Sequence, residues 1–117
     1  MGAGERHGSF DGLAAESPYE GVARCAFDAE GATVTRYTFE PGGRFPLHRH
    51  PQEQITVIEA GGVELTVAGE TMRLAAGDWS VVAPEVEHGI TAGFGGACVL
   101  AIVVPRRASA TEYEVLA

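Results

Sequence analysis

His48, His50 and His88 are three of the four histidines in the chain, and with Gln54 they are the side chains whose types and spacing suit metal chemistry. Imidazole nitrogen binds zinc, iron, nickel and copper, and an amide oxygen can complete such a shell. In the stretch HRHPQEQ, positions 48, 50 and 54 share parity. An extended strand would therefore point His48, His50 and Gln54 to one side and Glu53 to the other. Pro51 can introduce a bulge there. His88 follows a turn at Pro84, and a barrel would bring it opposite the first pair. Each part also has a plainer reading. His-x-His can be polar decoration on a surface strand, and His88 a hydrogen-bonded core histidine. His7 sits in a polar N-terminal stretch and is read as exposed and without a role.

The charge of such a set has consequences. Three neutral imidazoles and one neutral amide leave the full charge of a divalent ion uncompensated. The site would attract an anionic or enolate-like ligand more strongly than one with a glutamate at position 54. It would stabilise a trivalent ion poorly.

The elements that must position these residues read as strands. ATVTRYTFEPGG carries β-branched and aromatic residues and ends in a Pro-Gly-Gly turn. HRHPQEQITVIEAGG ends in Gly-Gly. VELTVAGETMRLAAGD reads as two strands joined across Ala68-Gly69-Glu70, with Val63, Leu65 and Val67 on one face. WSVVAPEVEHGITAG reads as strand, turn and strand, and GACVLAIVVP as a buried strand stopped by Pro105. Turn signals recur about every 8–12 residues, as in a β-sandwich or barrel. No window predicts an amphipathic helix beyond a weak turn in SATEYEVLA, and no repeat or low-complexity segment is visible. The expected organisation is a flexible arm over residues 1–17 and one β-barrel domain over 18–117.

Composition sets the outer limits. A chain of 117 residues has room for one core, and 45% hydrophobic residues predict a folded domain. Eight Lys+Arg against 16 Asp+Glu give a net charge of −8, which disfavours nucleic acid and anionic membrane surfaces as partners. Cys25 and Cys98 lie far apart in apolar settings and read as buried free thiols. The N-terminus has no apolar core of signal-peptide type, and the run 97–105 is too short to span a bilayer, so a cytoplasmic protein is expected.

The spacing of the motifs resembles the cupin superfamily. Gly42 is followed by five residues, His48-Arg-His50, three residues, Gln54, six residues and Gly61, as in the first cupin motif. Gly77-Asp78, then WSVV, APE and Val86-Glu87-His88 match the second, with Ala83 at its proline, Glu85 at its glycine and Ala92 at its later asparagine. The resemblance covers about residues 30 to 105. HRHPQEQ looks like the His-x-His-Pro-x-Glu-Gln variant of small single-domain bacterial cupins, in which glutamine takes the carboxylate's place. The resemblance implies an all-β, jelly-roll-like antiparallel barrel, usually a homodimer. It implies one divalent transition metal per chain (Fe, Mn, Ni or Zn) held by His48, His50, Gln54 and His88.

Fold and metal do not name a reaction. The ring-opening cupins of pectin breakdown share the variant and place an acidic residue and then an arginine on the last strand. Here Ala101 stands at the acidic position and Arg107, or Arg106, at the arginine, so the proton-transfer carboxylate is missing. By parity Ala97, Val99, Ala101 and Val103 line one face of that strand. Phe45, Leu47, Thr56, Val86, Ala101, Val103 and Arg107 are the expected pocket residues, although each apolar one can equally be core. Two functions stay open. One is an enzyme that isomerises, cyclises or oxygenates a small oxygenated molecule. The other is a non-catalytic sensor or carrier using the same site.

Overall fold

The computed structural model describes residues 5–116. Nine strands form a single antiparallel sheet that curls into a half-barrel. They are β1 (Glu16–Tyr19), β2 (Val22–Asp28), β3 (Thr33–Phe39), β4 (Arg44–Arg49), β5 (Glu53–Val67), β6 (Glu70–Ala75), β7 (Trp79–Val82), β8 (His88–Val104) and β9 (Glu114–Val115). Along one path the order is β1-β2-β3-β8-β4-β9, and β5 joins β6, β7 and β8. The all-β antiparallel architecture expected from the turn spacing is the one observed. No α-helix occurs among the described residues, and no helix is long and apolar enough to cross a membrane.

β5 and β8 are the backbone of the fold, and both run further than the sequence suggested. Gly61-Gly62 reads as a strand end, and GITAG and GACV read as separate strands. Instead β5 and β8 pass through these glycines and stay paired, with register shifts between Ile58 and Ala60 and between Gly61 and Val63. The reason is a close crossing. Gly61 and Gly96 both have left-handed φ (74° and 72°), and a Cβ on Gly61 would stand 2.1 Å from the Gly96 carbonyl oxygen. The glycines bend the strands without ending them.

Two turns explain the rest of the path. Ala68 (φ 50°) and Gly69 (φ 84°) are both left-handed, the hairpin geometry that matches strand twist, and β6 starts directly after them. Glu85 has φ 64° in the turn before β8, at the position where the cupin motif has glycine.

Strand alternation builds an inner and an outer face. Ala97, Val99, Ala101 and Val103 are buried on β8, as parity predicts, with Thr56, Ile58, Val63 and Leu65 buried on β5. One inner row, read across paired strands, is Ile58–Val99–Tyr37–Arg24–Glu16; the next contains Thr56–Ala101–Thr35–Ala26. One outer row, Val81–Ile55–Ile102–Val34–Phe27, is apolar throughout, and the other runs Trp79–Val57–Leu100 before reaching Arg36 and Cys25. Cys25 and Cys98 are free but only half-buried, not sunk in the core, because Cys98 faces outward beside Arg36 and Glu59.

Both chain ends pack on this frame. Of the arm expected over 1–17, residues 1–4 lie outside the described residues. Within the rest, Phe10 sits in a 3-10 turn with its ring 5.8 Å from that of Phe27, and β1 begins at Glu16. The C-terminal segment returns over the barrel mouth. SATEYEVLA contributes turns and β9, paired with β4 through His48 and Arg49, where a weak helical turn was expected.

Candidate metal centre

β4 carries His48 inward, and the strand ends at Arg49. His50 and Gln52 then turn the chain, and Gln54 returns near the start of β5. The shared parity of 48, 50 and 54 thus survives a break between two strands. His88 opens β8 directly opposite His48 in the ladder. All three histidines are buried, and their ligand atoms lie within 4.8 Å of one another.

Each imidazole is held by its own backbone. His48 Nδ1 lies 2.8 Å from the Pro46 carbonyl oxygen, His50 Nδ1 3.1 Å from that of Gln52, and His88 Nδ1 2.9 Å from that of Val86. A carbonyl only accepts, so each Nδ1 must donate, and each neutral ring keeps its lone pair on Nε2. These second partners fix tautomer and ring orientation, the usual support for metal-binding histidines. Gln54 Nε2 donates to Thr56 Oγ1 at 3.0 Å. In this orientation Gln54 Oε1 lies 3.0 Å from His50 Nε2 and 3.4 Å from His88 Nε2. With the Nδ1 protons fixed, these contacts set lone pair against lone pair. A cation among them would turn repulsion into coordination, so the donor set fits a metal ion.

Two of the rings, His48 and His88, are also pushed toward the neutral form. Burial, followed by the charge of His88, pushes His48 down to about 3 against the pull of the Pro46 carbonyl. Burial lowers His88 as well, with His50 adding to it. Three histidines in this arrangement can hold a metal ion.

Residues 35–104 match the family model described as Cupin domain. The chain belongs to the cupin family. An RmlC-like cupin from Shewanella frigidimarina is 24% identical, with TM-score 0.80 over 89% of this chain and 95% of that one. KdgF from Halomonas sp. is 25% identical, with TM-score 0.78 over 87% and 97%. An oxalate decarboxylase variant from Bacillus subtilis shares the fold at 18% identity and TM-score 0.85, and this chain spans 31% of its length. No curated protein sequence matches the chain.

Beside the histidines this cupin has a partly open cavity of about 30 Å³. Phe45, Thr56 and Ala101, expected from the sequence, line it with His48, Gln54 and His88. Tyr37, Phe39, Leu65, Ile90 and Val99 complete most of the wall. Leu47, Val86, Val103 and Arg107 do not line it. Leu47 packs over Gly89, Val86 serves through its carbonyl, and Val103 is buried behind Gln54 in the same inner row. Arg107 lies in a second depression near Thr33 and Ala110, where its Nη2 donates to Thr35 Oγ1 at 3.1 Å.

Sequence reasoning missed the C-terminal cover. The Tyr113 ring lies 5.4 Å from that of His48 and 5.3 Å from that of Phe45, and its hydroxyl is 3.0 Å from the Tyr19 hydroxyl. Gln52, whose carbonyl holds His50, donates its side-chain amide to Glu112. Nothing in local patterning singles out these residues. Only the return of the chain over the mouth does.

Proposed function

We propose that this cupin binds a small oxygenated organic molecule at one divalent transition metal per chain (Fe, Mn, Ni or Zn), held by His48, His50, Gln54 and His88. The observation that carries the reading is the convergence of three Nε2 lone pairs and Gln54 Oε1, with every Nδ1 engaged by a carbonyl. Such an ion supplies a Lewis acid that polarises a ligand oxygen. The chain supplies the rest. Phe39, Phe45, Ile90 and Val99 give an apolar wall that excludes water around the ligand body. The donor set has no carboxylate, which favours an anionic or enolate-like oxygen.

No carboxylate lines the cavity, which favours holding a ligand over proton-transfer chemistry. A second reading, turnover by isomerisation, cyclisation or oxygenation, would draw on the Tyr113 ring, 5.4 Å from that of His48, with its hydroxyl paired to that of Tyr19 at 3.0 Å. The outer apolar rows support a homodimer formed by this sheet face.

Elemental analysis of the purified protein tests the metal reading. Close to one transition ion per chain is expected, and His48→Ala should lose it while staying folded. Full occupancy in that variant would sink the ligand assignment. Oxygen uptake and spectral change with enolic and catecholic compounds separate turnover from binding.

A further inference from the structure

The chain past β8 closes one side of the barrel. It leaves β8 at Val104 and crosses three strands in turn. The Arg107 backbone N–H donates to Thr33 Oγ1 on β3 at 2.9 Å. The Ala110 carbonyl accepts from Arg24 on β2 at 3.5 Å, and the Tyr113 hydroxyl lies 3.0 Å from that of Tyr19 on β1. The segment then joins β4 through β9. β1 and β4 are not neighbours in the sheet, so residues 105–116 form a strap across the gap between them. Under it lie Phe45 and His48, both in the cavity wall and both within ring contact of Tyr113.

This strap is held weakly. None of residues 105–116 is buried, and only Arg107, Glu112 and Tyr113 are half-buried. β9 has two residues, and the ion pair Arg49–Glu114 at its end joins two side chains that are each about half exposed, a contact of small worth. The seam beneath is incompletely paired as well. Among the described residues, the buried side-chain polar atoms without a protein partner are Arg24 Nη1, Gln52 Oε1 and Arg107 Nε. All three belong to this seam: Arg24 meets the strap at Ala110, Gln52 meets it at Glu112, and Arg107 is part of it. Such atoms are costly while buried, and lifting the strap returns them to water. Segments with little apolar burial and exposed hydrogen bonds are the ones that open locally.

The size of the cavity gives the strap a reason to open. A volume of about 30 Å³ holds two water molecules, at about 10–15 Å³ each, whereas pockets for organic ligands of drug size start at about 300 Å³. We infer that residues 105–116 are the gate of the histidine site. The strap lifts from β1 and β4 while still attached to β8, admits the ligand between those strands, and closes again through Tyr113 on Phe45 and His48. The inference rests on the reading proposed above, in which an organic molecule reaches the histidines.

Diethyl pyrocarbonate tests the gate on metal-free protein. It acylates neutral imidazole, and it is an organic molecule too large for the closed cavity. Modification of each histidine is followed at neutral pH by peptide mass spectrometry, with the exposed His7 as internal reference. Arg49→Cys combined with Glu114→Cys supplies a reversible lock. The two positions are ladder partners, and the Cα atoms of antiparallel partners lie about 4.5–5.5 Å apart, within reach of a disulfide. With the lock oxidised, modification of His48, His50 and His88 should slow by about tenfold or more relative to His7, and reduction should restore it. Equal rates in the oxidised and reduced forms would overturn the gate. So would a reduced form in which the three site histidines never react. If the double variant does not fold or does not oxidise, Glu112→Ala decides. It removes the acceptor of the Ala108 N–H and of the Gln52 amide, so the site histidines must react faster than in wild type, and an unaltered rate counts against the proposal. Elemental analysis of wild type keeps the two readings apart. Protein without an ion refutes the metal centre, and the modification rates still judge the strap.

Discussion

Thr56 Oγ1 lies 3.0 Å from Gln54 Nε2, and as acceptor of that amide it leaves the Gln54 oxygen facing the histidines. Two residues apart on β5, both point into the barrel. Thr56 is 1% exposed and lines the cavity beside its partner. Without the hydroxyl, the amide can rotate and donate to His50 Nε2, which would remove the oxygen from the donor set. Thr56→Val keeps the shape and deletes the acceptor. It should weaken metal affinity by about 10–100-fold, the usual cost of losing a group that orients a ligand. A competitive chelator titration measures this, and the thermal midpoint of the metal-free protein should move little.

Gln54→Glu tests the charge of the site. A carboxylate near His50 and His88 would offset part of the positive charge of a bound dication. Metal affinity should rise, and an anionic ligand such as malonate should bind more weakly. Tighter malonate binding in Gln54→Glu would contradict the electrostatic account.

The grouping of the three histidines and the inner face of β8 were readable in part. Parity is a local property, and the alternating Ala97–Val103 run obeys it within one strand, whereas His48, His50 and Gln54 meet across a break between β4 and β5. What stayed hidden was non-local. Gly61 and Gly96 look like strand ends, and only the approach of two backbones shows that they are crossings. Tyr113 and Glu112 lie in a polar tail whose role comes from where it lands. Arg24 looks like one polar residue in an alternating strand, and its burial follows from the β1–β2–β3 pairing and the cover at Ala110.

Glu85 marks a position where this chain departs from the motif glycine and carries the cost in its backbone. A non-glycine residue at φ 64° is strained by about 1–2 kcal/mol, and glycine returns part of that gain through the entropy of the unfolded chain. Glu85→Gly should therefore stabilise the protein by roughly 0.5–1 kcal/mol in urea melts. The carbonyl of His50 accepts from the Glu85 backbone N–H, which glycine retains, so metal content should not change.

The outer face predicts the oligomeric state. Trp79 is 69% exposed, and its row and the next carry Val57, Val81, Ile55, Leu100 and Ile102 across three strands. Continuous apolar faces of this kind mark interaction surfaces. The homodimer should appear in light scattering at micromolar concentration, and Trp79→Glu should shift it to monomer with metal content intact. A monomeric wild type would refute the dimer.

Glu112 gives the C-terminal cover a pH dependence. Its carboxyl is held below the ordinary 4.5, first by the Ala108 backbone N–H and then by the Gln52 amide, with Arg107 and His50 adding favourable charge and burial opposing. Its folded value is depressed, so its contribution is complete above the unfolded value and is lost as pH falls through the folded one. Acidification below about pH 4.5 should therefore loosen the segment that places Tyr113 over His48. His48 and His88 also favour protonation of the unfolded chain on the acid side, but they act from higher pH, because their unfolded value is 6.5. Glu112→Gln separates the two effects. It should speed amide exchange in residues 108–115 at neutral pH and abolish the extra acceleration below pH 4.5, while the histidine-linked loss stays. Equal acid acceleration in wild type and Glu112→Gln would assign the effect to the histidines alone.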